Sequence, residues 1–111
     1  MTAKANHSAF ADMADNAHHA AALLKQMSHP QRLLLLCSLA EGERSVAQLQ
    51  RLTPLSPSAL SQHLAGLRAA KLVTTRRQSQ SIYYRLNGDS AIRIITALHA
   101  IFCPSQPPRQ A

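Results

Sequence analysis

Two short helical segments joined by a proline-containing break constrain the fold of this 111-residue chain more than any other feature. Ser45 is a typical N-cap for a first helix over Val46–Leu52, which the segment Thr53–Leu55 then ends. Ser56 and Pro57 begin the second helix with an N-cap serine and a proline at the first helical position. This arrangement predicts a helix-turn-helix, in which the second helix would enter the major groove of DNA.

The second helix has one apolar face and one polar face. Leu60, Leu64 and Leu67 follow each other at i, i+4 and i+7 and are expected to pack on the core. The hydroxyls of Ser56 and Ser58, at the helix N-terminus, suit phosphate groups. Hydrogen-bonding side chains further along suit the edges of base pairs. The predicted base contacts are Ser61, Gln62 and His63.

Positive charge is concentrated in the half of the chain that contains these helices. The formal net charge is +7, and residues 44–93 hold eight of the twelve Lys and Arg side chains beside one acidic residue, Asp89. Residues 1–43 hold three of these cations and four carboxylates. A cationic surface attracts a polyanion and releases its counterions, so binding weakens steeply with salt. We therefore predict double-stranded DNA as a partner.

The rest of the chain divides into further helices and a β-hairpin. We expect helices over Ser8–Lys25, Gln31–Ala40 and Ser90–Phe102, and strands over Lys71–Arg77 and Ser81–Leu86 around a turn at residues 78–80. The order ααααββα predicts a mainly α winged helix-turn-helix. On the wing, we expect contacts to the DNA backbone or minor groove from Arg76, Arg77 and Gln80. The domain is expected over residues 8–103, between a disordered arm at 1–7 and a flexible tail at 104–111.

The first and last helices carry more apolar surface than one small domain can bury. The last helix is apolar on more than one face, and the first has a stripe of small apolar residues. We therefore predict a homodimer that pairs through these two helices across a two-fold axis. Two recognition helices could then meet successive half-sites of a pseudo-palindromic operator.

The two cysteines, Cys37 and Cys103, have several interpretations. No apolar run approaches a membrane span of about 20 residues, and no signal-peptide pattern is present. We therefore expect a cytoplasmic protein that does not bind membranes. Thiols are normally reduced in that compartment. The pair is accordingly expected to be a sensor, a ligand pair or buried packing rather than a permanent disulfide.

Three blocks of sequence, in one order, carry a resemblance to a known family. They are Met27–Leu33, Ser56–Leu64 and Arg76–Leu86, the last containing Arg76-Arg77 and Ile82-Tyr83-Tyr84-Arg85-Leu86. Over roughly residues 13–103 the chain resembles the ArsR/SmtB repressors. The resemblance implies a DNA-binding transcriptional repressor with a winged-helix fold.

Two further blocks, Leu33–Leu39 and Leu98–Cys103, most resemble the dithiol branch of that family, typified by BigR, SqrR and HlyU. In that branch a cysteine on the second helix and another at the end of the last helix sense persulfides or oxidants, and bridging them releases DNA. The resemblance implies that Cys37 and Cys103 are redox-sensing residues. It also implies a small reactive sulfur compound or an oxidant as the inducer.

Metal sensing is the main alternative within the family. Metal-binding members carry Cys-x-Cys on the first helix of the helix-turn-helix, where this chain has Val46-Ala47-Gln48, or sets of Asp, His and Glu on the last helix. Asp89 and His99 are ten residues apart, and the adjacent His18 and His19 point to different sides of a helix. We therefore expect no bound metal and no cofactor. A metal-responsive or constitutive repressor with structural cysteines stays the alternative.

Other classes of function fit the sequence less well. No Gly-rich phosphate loop and no CxxC pair is present, and Ser61 beside His63 lacks a third catalytic group, so we do not expect an enzyme. A winged helix used for protein contacts alone conflicts with the basic surface. The operator, the regulated genes, the natural inducer and the choice between a disulfide and a polysulfide link stay open.

Overall fold

Five helices and three strands make up the part of the chain that the computed structural model describes, namely the backbone of residues 2–104 and the side chains of residues 9–104. In chain order they are α1 (Thr2–Met27), α2 (Pro30–Ala40), β1 (Arg44–Ser45), α3 (Val46–Arg51), α4 (Pro57–Ala69), β2 (Val73–Gln78), β3 (Ser81–Leu86) and α5 (Ser90–Phe102). This order confirms the mainly α winged helix-turn-helix. The two-residue strand β1 was not predicted.

A core made mostly of leucines holds the helices against the sheet. Its buried side chains are Met27, Leu35, Leu36, Leu39, Leu49, Leu60, Leu64, Leu67, Leu72, Val73, Ala91 and Ile95. The inner face predicted for α4 is confirmed, since Leu60, Leu64 and Leu67 are at most 2% exposed. Because these leucines occupy one side of α4, the polar side of that helix faces solvent.

The wing is a hairpin of β2 and β3, and β1 pairs with the other edge of β3. All pairs are antiparallel, and Gln78 pairs with Ser81, so the connecting loop is only Ser79 and Gln80. The first strand begins at Val73 rather than at Lys71 as expected. Lys71 has a φ of 61°, a left-handed conformation that follows the end of α4 and cannot continue into a strand.

Polar side chains fix where the helices begin. Ser45 and Gln48 form a capping box, in which each side chain bonds the other residue's backbone N–H. Ser56 caps α4 as predicted, and Pro57 follows it as the first helical residue. α2 is capped by His29, whose Nδ1 accepts a hydrogen bond from the Gln31 N–H at 3.0 Å.

The first helix is longer than the sequence predicted. α1 begins at Thr2, whereas the sequence predicted a start at Ser8. Residues 2–7 contain no Gly or Pro, and alanine and lysine are good helix formers. Residues 9–19 are all exposed in the single chain. Met1 and residues 105–111, which include most of the expected tail, lie outside the described residues.

Substitution of a core leucine tests this packing. Leu36 is fully buried, and Leu36→Ala is expected to lower the free energy of unfolding by about 2–5 kcal/mol because the missing methyl groups leave a cavity. Leu52→Ala is the control, since Leu52 is 56% exposed, and it should change that free energy by less than about 0.5 kcal/mol. Urea unfolding followed by circular dichroism measures both. Equal losses in the two variants would contradict the described core.

Candidate DNA-binding surface and cysteine pair

The exposed face of α4 presents short polar side chains near the helix N-terminus. Ser58, Ser61 and Gln62 are exposed and stand at i, i+3 and i+4, so they share one face. The Ser56 hydroxyl accepts a hydrogen bond from the Ala59 N–H at 3.2 Å and lies 3.4 Å from the Ser58 hydroxyl. The positive end of the helix dipole lies at the same place. This surface has the chemistry to contact both phosphates and base edges.

His63 is directed toward the start of α2 and is half-buried. Its Nδ1 accepts a hydrogen bond from Nε of Arg32 at 3.0 Å, and its ring centroid lies 4.3 Å from that of His29. Partial burial, and then the positive charges of His29 and Arg32, lower the pKa of His63. The structure therefore does not group His63 with Ser61 and Gln62; it makes His63 a contact between α4 and α2.

On the wing, the predicted DNA-binding residues have different surroundings. Arg76 forms a two-point contact with Glu43, from Nε and Nη2 at 2.9 and 2.8 Å, and its guanidinium lies 4.6 Å from the Tyr83 ring centroid. The hydrogen bond from Arg76 lowers the pKa of Glu43. Arg77 and Gln80 are exposed at the end of the hairpin. The charge of Arg76 is thus already partly compensated, whereas Arg77 and Gln80 face solvent.

Both cysteines are free thiols and lie on helices that pack against each other. Cys37 is on the exposed side of α2, and Cys103 is the half-buried C-cap of α5. The pKa of the Cys37 thiol is raised by partial burial first, and then by the negative charges of Glu41 and Cys103. The packing of α2 against α5 therefore places the two cysteines on neighbouring helices although they are far apart in sequence.

The described part of the chain offers neither a metal site nor a membrane-spanning helix. Among its side chains, no group of three His, Cys, Asp or Glu residues is arranged to hold a metal ion. Among its helices, none combines the length and the apolar character that crossing a bilayer requires.

Comparison with known proteins identifies the family. The profile described as bacterial regulatory protein, arsR family, matches residues 29–75, which contain the helix-turn-helix. The biofilm growth-associated repressor of Agrobacterium fabrum is 48% identical over 91 residues, which are 82% of this chain and 78% of that protein. The chain belongs to the arsR family. It is accordingly a DNA-binding transcriptional regulator and not an enzyme.

Solved structures of proteins with similar sequences have the same fold. The transcriptional repressor BigR from Xylella fastidiosa superimposes with a TM-score of 0.79 at 44% identity, covering 83% of this chain and 94% of that one. Reduced HlyU from Vibrio cholerae N16961 gives a TM-score of 0.77 at 42% identity, covering 83% and 97%. The resemblance to this family, and within it to BigR and HlyU, predicted from the sequence, is confirmed.

Sequence reasoning missed Arg32, Glu43 and Gly66 of this arsR-family chain. A single arginine within the leucine-rich α2 and a glycine inside α4 were the available signals. Glycine is unfavourable inside a helix, and a charged guanidinium that is partly buried needs hydrogen-bond partners. No local sequence pattern links Glu43 with Arg76. The two residues meet only because β1, which follows Glu43, lies beside the wing in the folded chain.

The lowered pKa of His63 predicts how stability depends on pH. The unfolded chain takes up a proton at His63 more readily than the folded chain, so stability should fall as the pH drops below about 6.5. His63→Asn keeps an acceptor at the position of Nδ1 but does not titrate there. Its melting temperature should therefore fall less than that of the wild type between about pH 7 and pH 5, as calorimetry can measure. Parallel curves for the two proteins would contradict the assignment.

Proposed function

We propose that this arsR-family regulator is a repressor that binds a pseudo-palindromic operator as a homodimer and releases it when Cys37 and Cys103 become covalently linked through sulfur. The observation that carries the switch is the packing of α2, which bears Cys37, against α5, which Cys103 caps, with both thiols free. The likeness to BigR and to a reduced form of HlyU supports the same conclusion. The name of the Agrobacterium relative supports repression.

In this proposal α4 supplies the sequence-specific contacts. Ser61 and Gln62 face base edges in the major groove, where a glutamine amide can pair with adenine through two hydrogen bonds. Ser56 and Ser58 approach phosphates at the helix N-terminus. His63, whose Nδ1 is already bonded to Arg32, contributes at most its Nε2 to DNA. Gln62 is therefore the residue on which sequence preference should depend most.

The wing supplies contacts to the sugar-phosphate backbone or to the minor groove. Arg77 and Gln80 are exposed and are free to reach the duplex without breaking an ion pair. Arg76 would have to exchange the Glu43 carboxylate for a phosphate, so its contribution is smaller. We accordingly assign the main electrostatic contact of the wing to Arg77.

The homodimer is inferred from apolar surface that the single chain leaves in water. On α1, Phe10 and Met13 are 75% and 59% exposed, within a stretch where every residue is exposed. On α5, Ile101 and Phe102 are 64% and 77% exposed. Burying such side chains is worth about 25 cal/mol per Å². A second copy covers these faces by symmetry and sets the spacing between the two recognition helices.

Joining the two cysteines oxidises two thiols, so it requires an oxidant. A persulfide, RSSH, can serve as that oxidant. The thiolate of Cys103 attacks the outer sulfur of RSSH and becomes a persulfide, and RSH leaves. The thiolate of Cys37 then attacks Sγ of Cys103 and releases H₂S, so two thiols are oxidised and one sulfur atom is reduced. Additional persulfides insert further sulfur atoms into the link. In this order Cys37, whose thiol pKa is raised first by partial burial, acts as the second nucleophile.

A link between the cysteines acts on DNA binding through the helices that carry them. α2 packs against both α5 and α4. Joining α2 to the end of α5 shifts α5 within the proposed dimer interface and so changes the distance between the recognition helices. A coupling free energy of about 2–3 kcal/mol lowers DNA affinity about 30- to 150-fold, within or near the usual range for allosteric coupling.

Two substitutions separate base contacts from phosphate contacts. The probe is a duplex selected from a random-sequence pool by the wild-type protein. Gln62→Ala should weaken binding to this duplex by about 1–3 kcal/mol and should relax its sequence preference. Arg77→Ala should weaken binding to every duplex similarly and reduce the slope of log affinity against log salt by about 1. Titrations at several salt concentrations measure both. No complex even at low salt would refute DNA binding.

Cysteine substitutions test the switch. Cys37→Ser and Cys103→Ser should each bind the selected duplex as the reduced wild type does and should not respond to glutathione persulfide or to peroxide. In the wild type, loss of binding should accompany a mass gain of about 62 daltons for a link with two added sulfur atoms, or a loss of about 2 daltons for a disulfide. A normal response in either variant would contradict the proposed pair. An unresponsive wild type would favour a constitutive repressor.

A further inference from the structure

The guanidinium of Arg32 joins three elements of the fold. Nη1 donates hydrogen bonds to the backbone oxygen and to Oε1 of Gln26, near the end of α1, at 3.1 and 2.6 Å. Nε donates to Nδ1 of His63 on α4 at 3.0 Å. Arg32 itself stands in the first turn of α2. One half-buried side chain therefore connects α1, α2 and α4.

The three acceptors of Arg32 are all uncharged. They are a peptide oxygen, an amide oxygen and an imidazole nitrogen. The imidazole can accept only if Nδ1 is unprotonated, which leaves the ring neutral with its proton on Nε2. Each bond to the positively charged guanidinium is stronger than a neutral hydrogen bond. The contact to His63 thus fixes both the position and the protonation state of a residue beside Gln62.

Gly66 leaves the space that this guanidinium fills. A Cβ at residue 66 would overlap Nη2 of Arg32 and would lie 2.8 Å from Cζ. Glycine is unfavourable inside a helix, and its presence in α4 is explained by this close approach. A groove between α1 and α4, lined in part by His19, Ala22 and Gln26, lies beside the same glycine. A displaced guanidinium therefore has open space to enter.

We propose that Arg32 is a positioning residue for DNA recognition, which holds α4 against the end of α1 through His63 and through the space left by Gly66. The proposal rests on the DNA surface assigned to α4 but not on the cysteine switch. The residues assigned to base contacts, Ser61 and Gln62, immediately precede His63 along α4. Hydrogen bonds to base edges weaken steeply as distance and angle depart from the optimum. A small rotation or shift of α4 therefore costs DNA affinity although no DNA contact is removed.

Gly66→Ala tests the proposal because it should lower DNA affinity without lowering the stability of the fold. Alanine favours the helix, and the clashing atoms belong to the end of a flexible side chain, so the melting temperature should be unchanged or higher. Affinity for the selected duplex should fall about tenfold, comparable to the loss of one good contact to a base edge, because α4 is no longer held in the position that such contacts require. A purely structural role of Arg32 predicts that both quantities fall together. Unchanged affinity, with the wild type binding normally, would overturn the proposal.

The matched control for Gly66→Ala is the same substitution made in a protein that already carries Arg32→Met. Methionine keeps an apolar stem of similar length but lacks the guanidinium atoms that a side chain at residue 66 would meet. Arg32→Met alone should lower affinity about as much as Gly66→Ala. Adding Gly66→Ala to Arg32→Met should then have no further effect on affinity, as expected for two changes acting through one contact. Additive losses would mean that residue 66 acts independently of Arg32 and would overturn the proposal.

Two substitutions of His63 distinguish positioning from direct contact with DNA. His63→Asn places an amide oxygen at the position of Nδ1 and can still accept from Arg32, but it does not extend as far as Nε2. His63→Leu removes the acceptor. Near-normal affinity in His63→Asn with loss in His63→Leu supports the contact to Arg32. Equal losses would assign His63 to the DNA itself and overturn its part in positioning. Failure of the wild type to select any duplex would instead refute the DNA-binding proposal.

Discussion

The packing of α4 on the leucines of α2 is the contact on which the proposed DNA surface and switch both depend. Leu60, Leu64 and Leu67 share one core with Leu36, and burying each such side chain contributes about 1.5–3 kcal/mol. These leucines set the rotation of α4 about its axis and so determine which of its residues meet solvent. The same α2 carries Cys37 on its exposed side. One helix thus supports the recognition surface and bears one of the two thiols.

Adjacent residues in the first turn of α2 form the polar contacts to the helix-turn-helix. The Thr53 hydroxyl donates to Oε1 of Gln31 at 3.0 Å, which connects α2 to the turn before α4. Arg32 reaches α4 itself through His63. A movement of α2 would therefore be transmitted to the turn and to the recognition helix at once. The leucine contacts resist separation of the helices, whereas these directional bonds resist sliding and rotation.

The fold was largely predictable because its signals are local. The N-cap serines 45 and 56, Pro57 and the spacing of leucines in α4 each determine a boundary or a face within a few residues. Strand β1 could not be predicted, since two residues pair only because β3 is already present beside them. The pairing of Arg76 with Glu43 and the orientation of His63 depend likewise on contacts between distant segments. Polar residues on one helix look alike in sequence whether they face solvent or a neighbouring helix.

The exposed residues 9–19 of α1 would connect operator occupancy to the amount of protein that a cell makes, if they form the proposed dimer interface. A lone copy leaves Phe10 and its neighbours in water. If paired copies cover this surface as proposed, the fraction of chains competent to bind both half-sites falls on dilution. Operator occupancy then rises more steeply than in proportion to the number of chains. Gene dosage and turnover would set the level of repression alongside the chemistry of the thiols.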